Sequence, residues 1–160
     1  MNSIVINYEK KIEKLHQEIY PQISKLLHDI HDGRNLLDYT VLEENITLLS
    51  DEFLSLYKIE SKLIFPAILA ALNTNESSVY APNFTEIIQL ISSKEAKIEK
   101  YLNSIKHVTE GHQEFDGDIK EEVMDLIRIF KDDYFPSKHQ WTELLVKLVP
   151  KLDNSSEISS

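Results

Sequence analysis

The chain has 160 residues, about one domain, and its 42% apolar and 28% charged residues make a globular mix rather than a disordered one. With no cysteine, 3 glycines and 5 prolines, it excludes disulfide scaffolds, thiolate nucleophiles and iron–sulfur ligation by this chain, and argues against turn-rich β folds and Gly-rich phosphate loops. The net charge of −10, from 27 acidic against 17 basic residues, disfavours nucleic acid and anionic membrane as partners, since both need a cationic footprint.

The first element predicted spans residues 4–31. Ile12, Leu15, Ile19, Ile23, Leu26 and Ile30 recur at steps of three and four, one face of a helix. His16 falls in the same arc, and Pro21 sits mid-segment, where a kink is expected. The second element spans 38–72, with Thr40 and Glu43 reading as a capping box. Its seam is Leu42, Ile46, Leu49, Phe53, Leu56, Glu60 and Leu63, and Pro66 is expected to bend it.

A polar break, Asn73 to Ser78, precedes Pro82. The third element spans 84–110, with Asn83 as N-cap and Glu86 three residues on. Its seam is Phe84, Ile88, Ile91, Glu95, Ile98, Leu102 and Ile105. A fourth begins near Asp118 with Ile119, Val123, Leu126 and Phe130, and is interrupted at Tyr134-Phe135-Pro136. A last piece, Trp141 to Leu152, offers Trp141, Leu144, Leu145 and Leu148, and a polar, flexible tail follows over 153–160. Gly33, Gly111 and Gly117 fall between these stretches, as helix ends prefer.

Four long amphipathic helices with short links predict an all-α, antiparallel up-down four-helix bundle over 1–152, with a C-terminal helical extension. No strand pattern is found. Leu63 to Leu72, the longest nearly apolar run, is too short to span a bilayer. A basic leader is missing at the start, so a cytoplasmic protein is expected.

The informative residues are Glu60 and Glu95, each the one acid in its helix's apolar seam. Folding the chain near residue 77 puts them at one level on antiparallel neighbours. Two ionised carboxylates in a core are very costly unless they share a proton, meet a cation or bind metal. Folding near Gly33 brings Glu13 and His16 to that level from the first helix. Glu13, His16, Glu60 and Glu95 are therefore candidate metal ligands, with iron or manganese as the metal. The plainer alternative pairs either acid with a lysine such as Lys62 or Lys94 and leaves no cofactor at all. His28, His31, His107, His112 and His139 read as helix-end or surface residues. No catalytic triad, hydrolase, transferase or nucleotide-binding motif can be assembled.

Glu60-Ser61-Lys62-Leu63-Ile64-Phe65-Pro66 resembles the Glu-Glu-x-x-Leu-Phe-Pro end of helix two in hemerythrin-like (HHE) domains. His16 to Ile23 resembles the His-Arg-x-x-Leu-Pro-x-Leu of helix one in the di-iron proteins that repair iron–sulfur clusters under nitrosative or oxidative stress. Tyr134-Phe135-Pro136 resembles their second Leu-Phe-Pro. The resemblance implies a four-helix bundle with two core irons held by histidines on every helix and a glutamate on helices two and four. Matched position by position, Glu13 stands at the helix-one histidine, Leu56 and Glu60 at the helix-two pair, Glu95 near the helix-three histidine, and Leu126 and Phe130 at the helix-four pair. An alternative match, needing a long insertion, would place His112 as the helix-three ligand. With most nitrogen ligands replaced, the expectation is a stress-associated hemerythrin-like bundle with a reduced, carboxylate-rich metal site. The competing expectation is a metal-free bundle that binds a protein partner or a second copy of itself. Reversible oxygen carriage is set aside, because histidine ligation is nearly gone.

Overall fold

The computed structural model describes residues 2–33, 37–73, 83–111 and 115–158. They form α1 (Asn2–Gly33), α2 (Leu37–Ile59), a π-turn (Glu60–Ile64), α3 (Phe65–Asn73), α4 (Phe84–Gly111), α5 (Gly117–Ile129), a second π-turn (Phe130–Tyr134) and α6 (Phe135–Ile158). The π-turns join α2 to α3 and α5 to α6 without a break, so the six helices make four rods. Each rod packs on its neighbour in sequence, and the fourth closes onto α1. This is the all-α up-down bundle that the periodicity predicts, and no strand occurs among the described residues. Among them, too, no helix is long and apolar enough to cross a membrane.

The stripes point inward. Ile12, Leu15, Ile19, Ile23, Leu26 and Ile30 of α1 are buried, as are Ile119, Val123 and Leu126 of α5. Phe53, Phe65, Phe130 and Trp141 are the largest apolar side chains wholly inside. Full burial of such a residue contributes about 1.5–3 kcal/mol. The α4 start follows its sequence signal: the backbone N–H of Glu86 donates to Asn83 Oδ1 at 3.2 Å. Asp116 caps α5 by accepting from the Asp118 N–H at 3.1 Å. Its own N–H donates to the buried Tyr39 hydroxyl at 2.9 Å, tying this corner to the start of α2.

Four expectations change. Thr40 does not cap a helix, because α2 begins at Leu37 and Thr40 lies inside its first turn. The fourth rod is not interrupted at Pro136 but passes through it by a π-turn. The polar stretch from Asp153 remains helical to Ile158, beyond the boundary expected at 152. Leu63 lies off the seam and is 48% exposed, whereas Ile64 is fully buried. The break over 74–78 and the residue His112 lie outside the described residues.

The π-turns explain the shift from Leu63 to Ile64. Phe65 donates its backbone N–H to the Glu60 carbonyl, and Phe135 donates to Phe130, each reaching back five residues instead of four. Pro66 and Pro136 follow immediately. A proline in a helix has no N–H to donate, and its ring collides with the carbonyl four residues back. One wider turn moves that carbonyl aside and lets the rod continue. It also takes in an extra residue, so the inward position after Glu60 is Ile64. Pro21 needs no such turn, since α1 runs past it as one α-helix.

Candidate functional site

The two seam acids meet, as folding about the break requires, but a third residue lies between them. Glu60, the first residue of the first π-turn, is 1% exposed. The Lys138 side chain on α6 is likewise 1% exposed, and its Nζ donates a charge-assisted hydrogen bond to Glu60 Oε1. The same Nζ lies 3.8 Å from Glu95 Oε1, whose side chain is 15% exposed. Three rods thus deliver two carboxylates and one ammonium to one buried place.

Electrostatics follow from the count. Burial pushes the Glu60 carboxyl above its usual range, and the Lys138 charge and hydrogen bond pull it part of the way back. Burial also raises Glu95; Lys138 opposes this, Glu60 adds to it, and His139 opposes it weakly. Burial raises the Tyr134 phenol far above its ordinary value, with Glu60 and then Glu95 adding repulsion. Tyr134 closes the second π-turn and packs edge-on against Phe53 and Phe130, with centroids 5.6 and 5.1 Å apart. Glu60 Oε2 is buried with no hydrogen-bond partner among the described residues.

The other two candidate ligands stand apart from this cluster. Glu13 is exposed on α1. His16 lies flat on Tyr57, with ring centroids 3.8 Å apart and planes 8° from parallel, and is flanked by Phe53 and Tyr20 at 5.3 and 5.8 Å. Burial in this stack lowers its pKa, which favours neutral imidazole. Among the described residues, no three His, Cys, Asp or Glu side chains converge closely enough to hold a metal ion. Leu56, Leu126 and Phe130, at the positions matched to polar ligands, are wholly buried among apolar groups. A transition-metal centre wants four or more nitrogen, sulfur or oxygen donors. This level supplies two carboxylates and an ammonium that repels a metal cation, so its donor set does not fit a di-iron centre.

The lysines considered from sequence do other work. Lys62 is exposed, and Lys94 bonds Glu52 at 3.2 Å across the α2–α4 interface. Lys138 was the residue missed. Its signal lay in the seam carried through Pro136: Tyr134, Lys138, Trp141, Leu145 and Leu148 are spaced by fours and threes, and all are buried.

Surface grooves lie elsewhere. One is lined by Gln22, Lys25, Glu122, Asp125, Arg128 and Asp132, with Lys25 bonded to Glu122. Another, on α2, is lined by Thr40, Glu43, Glu44, Thr47 and Leu48. Neither reaches Glu60, Glu95 or Lys138. No family model, curated protein or solved structure matches the chain.

Proposed function

We propose that this protein is a hemerythrin-like bundle that works without a resident metal, as a module that binds a protein partner through its outer surface. The observation that carries the reading is the Lys138 ammonium seated on Glu60 and beside Glu95. A tethered cation answers the charge of the two acids, which is the task a metal would otherwise perform. Leu56, Leu126 and Phe130 complete an apolar filling at that level. Support for the hemerythrin-like ancestry comes from the Glu60–Pro66 and Tyr134–Pro136 resemblances, each falling on a π-turn of a long rod. The link to nitrosative and oxidative stress and iron-centre repair rests on that resemblance.

A surface role draws on exposed apolar groups of α2. Val41 and Leu48, two turns apart on one face of α2, are 38% and 44% exposed, and Leu48 lines the α2 groove. Apolar groups rimmed by Glu43 and Glu44 suit a partner face with an apolar centre and a basic rim.

A second reading is favoured by the convergence of Glu60 and Glu95 alone. In it these two acids hold iron or manganese, and Lys138 has to leave. Elemental analysis and visible absorption of protein purified without oxygen separate the two. The metal-independent reading expects less than stoichiometric iron, manganese and zinc, and a thermal midpoint unmoved by chelator. Stoichiometric metal that disappears in Glu60→Gln would overturn it.

A further inference from the structure

We propose that Glu60 and Glu95 form a receptacle for a primary ammonium group, that Lys138 is its resident occupant, and that without the Lys138 side chain the place takes a free alkylammonium ion in preference to a divalent metal. The proposal deepens the metal-independent reading and rests on it. The receptacle is built on three rods: Glu60 from the first π-turn, Glu95 from α4, and Lys138 entering from α6. Both Glu60 and Lys138 are 1% exposed, so the ammonium is stripped of bulk water, bonded to Glu60 Oε1 and 3.8 Å from Glu95 Oε1.

The chemistry of the surroundings sets the preference. A primary ammonium is a compact charge with three donors, satisfied by a few acceptors at N–H···O distances. The two carboxylates offer four oxygens, and Glu60 Oε2 is an acceptor still without a partner among the described residues. Manganese, iron or zinc would need further ligands, and among the described residues no third His, Cys, Asp or Glu joins the two carboxylates.

Two measurements test it. In the intact protein, a lysine ammonium nitrogen signal protected from solvent exchange, and absent from Lys138→Met, is expected in nitrogen-15 NMR; its absence from the wild type overturns the proposal. Lys138→Ala removes the atoms that n-propylammonium supplies. That ion should raise the variant's thermal midpoint saturably, or restore its helical circular dichroism if the variant is unfolded alone. The wild type should not respond, and neither should Lys138→Ala with Glu60→Gln. An equal effect from sodium or tetramethylammonium at the same ionic strength overturns the proposal, as does no effect. Stoichiometric manganese in Lys138→Ala beside a metal-free wild type overturns the ammonium preference but leaves the metal-independent reading standing. Metal in the wild type overturns both.

Discussion

Lys138 bonds Glu60 across 78 positions of sequence, and both side chains are 1% exposed. A pair this deep does not stabilise in proportion to its Coulomb attraction, since desolvation of both ions offsets it. Breaking it is another matter, because one partner alone leaves a charge stranded in the core.

Lys138→Met is therefore expected to cost about 3–5 kcal/mol of unfolding free energy, the usual range for removing one partner of a buried pair. Replacing both ions, in Glu60→Leu with Lys138→Met, should recover most of that loss or exceed the wild type. Urea unfolding of the two singles and the double, analysed as a cycle, measures the coupling. A double no better than its worse single would contradict the burial described here.

Glu95 sets a pH dependence of known sign. Its folded-state pKa is raised, chiefly by burial. Such a group contributes stability below its unfolded value, near 4.3, and that contribution is lost as pH rises through the folded value. Above its folded value the charged carboxylate works against the fold. Glu95→Gln should therefore gain on the order of 1 kcal/mol at pH 7, with the gain shrinking as pH falls towards 4. Urea midpoints recorded between pH 4 and 8 check both points.

His16 acts in the opposite sense. Burial in the stack on Tyr57 lowers its pKa, so its contribution is present above about 6.5 and lost as pH falls below it. His16→Phe keeps a planar ring against Tyr57 and Phe53 and removes the titration. The variant should match the wild type at pH 8 and lose less stability by pH 5, read from thermal midpoints at the two values. An identical decline in both proteins would show that the ring titrates as if in water.

The first π-turn makes a register prediction. Leu63 is 48% exposed and Ile64 is wholly buried. Leu63→Ser should change stability by no more than about 0.5 kcal/mol, as ordinary surface substitutions do. Ile64→Ala should cost about 2–5 kcal/mol through the lost packing and the cavity left behind. The reverse ranking in chemical denaturation would mean that the turn is an ordinary α-turn.

How far the site was legible depended on the continuity of each seam. Glu60 and Glu95 stood out because each interrupts an unbroken run of apolar steps, and antiparallel neighbours with similar arm lengths had to bring them together. Lys138 was hidden because Pro136, two residues before it, reads as an interruption. Carrying the steps from Tyr134 to Trp141 through the proline would have placed Lys138 on the buried face. Leu63 was misplaced for a related reason, since three- and four-residue counting assumes every turn is α. His16 lay on the correct face of α1, but periodicity gives an azimuth and not a partner. The stack with Tyr57 depends on the height and tilt at which α1 meets α2.

By itself the sequence determined the four rods, their apolar faces, their up-down order and the shared level of the two seam acids. These follow from local periodicity and from link length, which act along a single stretch of chain. Only the tertiary structure decided what answers the charge of Glu60 and Glu95. A buried anion takes whichever donor the packing of other rods brings within reach, and here an ammonium from α6 arrives there. That choice is made by geometry between segments remote in sequence, where no local pattern carries the information.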